Sequence, residues 1–463
     1  MPQDNQLLIA YYGDDFTGST DVLETLSKAG IKTALFIEPP TLEQLSRYKN
    51  IQAIGIAGMS RAMNPEEMEK ELRPAFTALK ESGARHVHYK VCSTFDSSPT
   101  VGSIGRAIDI GSEIFQPRFV SLVVAAPGLG RYSAFGNLFA RMGIGSQGEI
   151  HRLDRHPSMS KHPVTPSDES DIRLHLGKQT HKQSGLIDIL QIEREISETK
   201  HFLKTAITNG AEIVLFDAIY PNQMAKIGEL IDAYGDETSP HFSAGSSGIE
   251  LALGDFWIKS ELIKPPVSWP TAGRAAPLLV VSGSCSPVTS SQITWALSRG
   301  FEEVYLDTES VAKLETDYTL ENEIQLTCQL LNEGKSVIVH TSKGTNDPRF
   351  PKTNDILTKK GLNKSEIQSL TSRLYGTALG KIARSAAAQA SVKRLVIAGG
   401  DTSSIVARTI GIEAVEMITP ISPGAPLCRA FAPGSPVDGL EVVFKGGQVG
   451  GEGYFGVVLR GVL

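Results

Sequence analysis

Leu395, Val396, Ile397 and Ala398 run straight into Gly399, Gly400, Asp401, Thr402 and Ser403, and an apolar-periodic segment then continues to Gly411. The order reads as strand, tight glycine turn and helix N-terminus. Two glycines let the backbone turn sharply and approach a ligand closely, while the first free N–H groups and the positive end of the helix dipole attract phosphate. Taken alone, the same turn is equally an ordinary βα connection. Comparable turns recur at Gly13, Asp14, Asp15, Phe16, Thr17, Gly18, Ser19 and at Ser282, Gly283, Ser284, Cys285, Ser286. Turns of this kind behind apolar strands predict an α/β protein whose sheets are mostly parallel and flanked by helices.

A chain of 463 residues exceeds one typical hydrophobic core, so two domains are expected, with a substrate cleft between them. The cluster Pro265, Pro266, Ser268, Trp269, Pro270 is stiff and can continue neither a helix nor a central strand. It divides the sequence into an N-terminal domain over 1–262, a linker over 263–276 and a C-terminal domain over 277–463. With 41% hydrophobic and 21% charged residues the composition is that of a soluble globular protein, and a net charge of −6 argues against nucleic acid or an anionic membrane as partner. Cys92, Cys285, Cys328 and Cys428 are scattered without a C-x-x-C pair, which fits neither a zinc site nor a disulfide scaffold. A polar start leading into a strand, with no apolar run of membrane length, predicts a cytoplasmic location.

In the N-terminal half, a strand over 7–12 delivers the Asp14-Asp15 turn, and Val22, Leu23, Leu26 and Ala29 follow at helical spacing until Gly30. The turn lacks G-x-G-x-x-G, so a dinucleotide fingerprint is unsupported. Adjacent carboxylates at a strand's end suit sugar hydroxyls, a metal, or removal of a proton from a hydroxyl; alternatively one caps the helix and the other is solvated. Their adjacency in a turn is expected to send the two side chains in different directions. A strand over 86–90 leads into Lys90, Cys92, Ser93, Thr94 and Asp96, a mixture of hydroxyls, one acid and a point charge that suits a carboxylate-bearing polyol. Asn64-Pro65 opens a helix over 66–79 that Pro74 should kink or split. Beyond Gly128 the chain reads as irregular to Gly148, and 162–170, with His162, Pro163, Val164 and Thr165, reads as a rigid loop before a helix near Asp171. The spacing of His151, His156 and His162 matches no metal-ligand pattern.

The C-terminal half ends in a strand reaching Lys445, after which six glycines lie between 446 and 456. Backbone amides at such turns can hold a nucleotide's phosphates without net positive charge. Two sites on two domains describe phosphoryl transfer. Neither a P-loop nor the protein-kinase signatures occur, so an unrelated kinase architecture is required. A sugar-acid aldolase or epimerase could use the Asp pair and Lys90 but needs no nucleotide cradle. A non-enzymatic metabolite sensor is the third reading.

The segments Asp14-Asp15-Phe16-Thr17-Gly18-Ser19, His162-Pro163-Val164-Thr165-Pro166, Ser282-Gly283-Ser284-Cys285-Ser286, Gly399-Gly400-Asp401-Thr402-Ser403 and the tail over 445–455 together resemble the four-carbon acid sugar kinases. The resemblance spans nearly the whole chain and implies ATP-dependent phosphorylation of a sugar-acid hydroxyl, with acid-sugar binding in the first domain and ATP in the second. It places the nucleotide at Ser284, Gly399, Gly400, Asp401, Thr402, Ser403 and Gly447. Substrate falls to Asp14, Asp15, Thr17, Lys90, Ser93, Thr94 and Thr165, with Asp15 the first choice to activate the attacking hydroxyl and Asp14 the second. Mg²⁺ is expected, held mostly by phosphates and waters, and a homodimer is compatible with this reading. After Lys90 the sequence departs from the family's Asp-Ser-Thr-Leu-Arg-Gly-Asn, and an acid and a bidentate arginine are lost or displaced. The change points away from plain threonate or erythronate and toward a keto or branched acid such as 3-oxo-isoapionate.

Overall fold

The computed structural model describes residues 6–142, 148–162, 164–236, 239–313 and 319–461, with Ser365 and Asp401 described by their backbone alone. Pro163 therefore lies outside the described residues, as does the side chain of Asp401. The chain divides into two compact units, one of residues 1–34 and 38–266, the other of 35–37 and 267–463.

The strands before residue 267 are β1 (Ile9–Gly13), β2 (Thr33–Phe36), β3 (Ala53–Ala57), β4 (His86–Lys90), β5 (Val120–Val123), β6 (Arg131–Ala134), β7 (Asn137–Arg141), β8 (Ile150–Arg152), β9 (Ser184–Ile187), β10 (Ile213–Phe216) and β11 (His241–Gly245). The main sheet runs β2-β3-β1-β4-β11-β5-β10-β9. From β3 to β9 every neighbouring pair is parallel. β1 is buried along its whole length, as expected of a parallel strand covered on both faces. Register fixes the site: Gly13 lies opposite both Ala57 and Lys90, and Lys90 opposite Gly245. The carboxyl ends of four neighbouring strands thus form one row, the place where open parallel sheets hold ligands.

Two expectations are corrected here. The helix Pro65–Glu81 passes through Pro74 unbroken. Pro74 sits on the exposed side, where water can take the carbonyl that proline leaves without a donor, while Leu72, Ala75, Phe76 and Leu79 keep the opposite face buried. At its start, Asn64 caps the helix in a capping box with Glu67, and Pro65 occupies the first position. The stretch read as irregular beyond Gly128 contains the antiparallel sheet β6-β7-β8. Its first turn is Phe135-Gly136, with both φ values positive at 51° and 80°. Such a two-residue turn normally announces itself with Asn-Gly or Asp-Gly, and phenylalanine hid it.

In the second unit β12 (Leu278–Ser282), β13 (Glu302–Tyr305), β14 (Val337–His340), β15 (Arg394–Ala398), β16 (Ala414–Thr419), β17 (Leu427–Phe431) and β18 (Glu441–Lys445) lie in the order β13-β14-β12-β15-β18-β17-β16. The strands from β13 to β18 are parallel, and β17 runs antiparallel to both of its neighbours. Leu278, Val280, Ile293, Val396, Val443 and Phe455 pack into its core. Buried Arg394 pairs with Glu441 and donates to the carbonyls of Ala272, Gly273 and Val458, so the segment after the proline cluster is fastened down. Among the described residues no helix is long and apolar enough to cross a membrane.

Candidate active site

Each unit carries one constellation at its strand ends. In the first, Asp15 is the N-cap of helix Phe16–Ala29 and accepts from the Gly18 amide at 2.7 Å. The two carboxylates do not diverge: both converge on Arg61, which follows β3. Its Nε donates to Asp14 Oδ2 at 3.1 Å, Nη1 to Asp15 Oδ2 at 2.8 Å, and Nη2 to Asp14 Oδ1 at 2.6 Å and Asp15 Oδ1 at 2.9 Å. One planar fork thereby orders two acids, which a lysine could not do. Asp14 is buried, with a side chain 3% exposed, whereas that of Asp15 is 27% exposed. Burial raises the Asp14 carboxyl above its ordinary range; Arg61 opposes the rise and neighbouring Asp15 adds to it.

Substitution Arg61→Gln is expected to lower stability at pH 7 by about 1–3 kcal/mol, a discounted figure because the guanidinium is 30% exposed. The loss should shrink as pH is lowered from neutral into the acid range, because the Asp14 carboxyl, raised by burial, then protonates and no longer needs a cation. Urea unfolding at pH 7 and in the acid range checks this, and an equal deficit at both would contradict it.

Lys90 is buried, and its Nζ lies 3.6 Å from Asp21 Oδ2 while donating to Val91 O at 3.1 Å. Burial opposes its charge, but Asp21, Glu250, Asp14 and Asp15 outweigh that and hold it above the usual lysine range. Asp21 in turn accepts from Ser247 Oγ, and Glu250 bonds His88 Nδ1. A β-carbon at Gly18 would stand 2.6 Å from Asp15 Oδ1 and 3.4 Å from Lys90 Nζ, so glycine is what lets these groups share the turn. Thr17 and Ser93 are half-buried, and Thr94 is buried with its hydroxyl 2.9 Å from Cys92 Sγ. Thr94 and Thr165 line one cavity of about 10 Å³, and His162 Nδ1 fixes Thr165 through its amide at 3.1 Å and its hydroxyl at 3.0 Å.

In the second unit Ser282 lies opposite Ala398, and Ala398 opposite Lys445, which brings three turns to one edge. Gly399, at φ 122° and ψ 127°, precedes the helix Gly400–Ile410 and offers no side-chain cap, so the first helical amides stay available. The turns touch: a β-carbon at Gly283 would fall 2.1 Å from Thr402 Oγ1, and one at Gly447 would fall 3.0 Å from Ser284 Oγ. Ser403 is turned away, its hydroxyl donating to Gly399 O at 2.7 Å. The glycine tail is pinned from below. Ser286 Oγ and Thr289 Oγ1 both donate to Gly447 O, and Gln292 Nε2 lies 3.0 Å from the carbonyls of Val449, Gly450 and Gly451. Lys445 Nζ donates to Thr289 Oγ1 at 2.9 Å and to Gly446 O at 3.0 Å. Beside this edge a cavity of about 390 Å³ is lined by Pro287, Ser290, Lys343, Thr345 and Glu452.

A sequence model of a sugar-binding N-terminal domain matches residues 9–253, and one of a nucleotide-binding C-terminal domain matches 279–455. The chain belongs to this family of sugar- and nucleotide-binding two-domain proteins. A 3-oxo-isoapionate kinase of Paraburkholderia graminis is 40% identical over 459 residues, covering 99% of this chain and 95% of the relative. A 3-oxo-tetronate kinase of Methylobacterium radiotolerans is 28% identical over 98% of this chain and 99% of its own length. For this family member the fold also matches a crystal structure from Salmonella typhimurium LT2, with TM-score 0.76 at 24% identity, over 99% of this chain and 100% of that one.

Arg61, Asp21 and Glu250 went unread in the sequence. Nothing local marks Arg61 except its place just past a parallel strand; Asp21 lies in the second turn of the helix behind its glycine turn, and Glu250 in the first turn of the helix behind its own.

Proposed function

We propose that this protein is an ATP-dependent kinase that phosphorylates a hydroxyl of a small four- or five-carbon keto sugar acid, with 3-oxo-isoapionate as the favoured substrate. The observation that carries the reading is the 40% identity to a 3-oxo-isoapionate kinase along 99% of the chain. The geometry supports it. The edge formed by Gly283, Ser284, Gly399, Thr402 and Gly447 has the small residues and free amides that a phosphate chain requires. The adjoining 390 Å³ cavity suits a nucleoside. ATP supplies the transferable phosphoryl group. In this reading Mg²⁺ is carried by the phosphates and waters.

On the first unit, Asp15 accepts the proton of the attacking hydroxyl, and Arg61 keeps that carboxylate aimed. A coupled ADP-release assay over four- and five-carbon aldonic and keto acids tests the function: acid-dependent ADP with 3-oxo-isoapionate is the expected result, and no acid-dependent release across the panel overturns it.

Lys445 gives a second readout. Burial among neutral partners pushes its ammonium down to about 8. A bound phosphate chain nearby favours the charged form, so nucleotide binding should take up about half a proton at pH 8.5 and almost none at pH 6.5, where the lysine is already charged. Calorimetry of ADP binding in buffers of different ionisation enthalpy measures the uptake, and an equal uptake by Lys445→Met would contradict it.

A further inference from the structure

Arg61 spends Nε, Nη1 and Nη2 on Asp14 and Asp15, which leaves it little to offer a substrate. Lys90 differs. It is 3% exposed, and of its three N–H bonds one goes to Val91 O at 3.1 Å, while Asp21 Oδ2 stands at 3.6 Å, an ion-pair distance too long for a hydrogen bond. A donor is therefore left for an incoming oxygen. It borders the Asp15 turn, because the point that a β-carbon would take at Gly18 is 2.6 Å from Asp15 Oδ1 and 3.4 Å from Lys90 Nζ.

The ammonium is seated by two pairs of side chains. Helices Phe16–Ala29 and Gly248–Lys259 pack against each other and against the sheet. Ser247, just before the second helix, donates through Oγ to Asp21 Oδ2. Glu250, in that helix's first turn, bonds His88 Nδ1 through Oε1, and both side chains are fully buried. His88 and Lys90 lie two apart on β4 and so project from the same face. Register sets them opposite Ser243 and Gly245 of β11, the strand that leads into Gly248–Lys259. Glu250 Oε2 is buried without a hydrogen-bond partner. A carboxylate with one oxygen bare in the interior requires a neighbouring cation, and Lys90, on the same face, feels its charge.

We propose that Asp21 and Glu250 are positioning residues for the reaction: seated by Ser247 and His88, they hold the Lys90 ammonium charged and turned so that its free donor meets an oxygen of the sugar acid at the Asp15 turn. This rests on the kinase reading above. The charged and titratable groups facing Lys90 are Asp14 and Asp15 on the β1 turn with Arg61 paired to them, Asp21 and Glu250 on the two helices, and His88 and Cys92 before and after it. Burial alone would push the lysine down, and the carboxylates reverse this. With one of them neutralised, burial regains ground and charge is lost as pH rises, whereas the intact site stays charged at pH 9. Cys92, pushed up by burial to about 11, stays neutral there.

The test begins with acid-dependent ADP release by the unmodified protein; its absence overturns the kinase reading and this role with it. Calorimetry then follows binding of the acid that turns over, and of ADP. Lys90→Met should weaken acid binding about 10- to 100-fold. Asp21→Asn and Glu250→Gln should each weaken it about 3- to 10-fold at pH 7 and more at pH 9, with ADP affinity within about twofold of the unmodified protein at each pH, and should add nothing in the Lys90→Met background. Asp21 is half-buried, so its variant serves if Glu250→Gln does not fold. Acid affinity unchanged in the carboxylate variants, losses that do not grow with pH, or the same losses with and without Lys90 overturn the positioning role.

Discussion

Asp15→Asn is expected to lower kcat about 10²- to 10⁴-fold while leaving ATP affinity within about twofold, the span that loss of a positioned general base produces. The choice of Asp15 over Asp14 rests on access. Both acids are held by Arg61, but only Asp15 presents a side chain that a substrate hydroxyl can reach, at 27% exposed against 3%. Asparagine is also a good N-cap and can still accept the Gly18 amide, so the variant should fold and melt like the parent. Steady-state kinetics with ADP calorimetry separates the readings. A variant that keeps full turnover removes Asp15 from the chemistry, and loss of turnover on an acid converted without ATP would favour an aldolase or epimerase. A metabolite sensor would show no turnover to lose.

Gly399→Val is expected to weaken ADP binding at least about 100-fold, with binding of the sugar acid to the first unit retained. At φ 122° and ψ 127° the backbone is in a region that side chains essentially do not adopt, so the turn must change shape. The added β-carbon would also stand 3.0 Å from Thr402 Oγ1 and 3.2 Å from the Ser284 amide, the groups at which the phosphate turns meet. Calorimetry with ADP, paired with a thermal shift produced by the acid, distinguishes a damaged cradle from a damaged protein. Near-normal ADP affinity would mean that the nucleotide lies elsewhere.

Much of this was legible in the sequence because parallel strands and their turns are written locally. Apolar runs ending in glycine and hydroxyl residues marked β1, β12 and β15 and their following helices, and the Asn64-Pro65 cap stood as read. What escaped depended on distance along the chain. Arg61 reaches the Asp14-Asp15 turn because β3 lies beside β1, a pairing that no local pattern discloses. Adjacency suggested that the two acids diverge, and a shared guanidinium overrides that tendency. The β6-β7 hairpin was hidden because Phe135 stands in a left-handed turn position normally given to asparagine or glycine.

Phosphoryl transfer to the acid itself is best read by mass spectrometry of the acid after incubation with ATP and Mg²⁺. The account predicts that 3-oxo-isoapionate gains one phosphoryl group in step with ADP, and that Asp15→Asn slows the gain at least about 100-fold. ADP formed at the same rate without the acid, or an acid whose mass never changes, would contradict it.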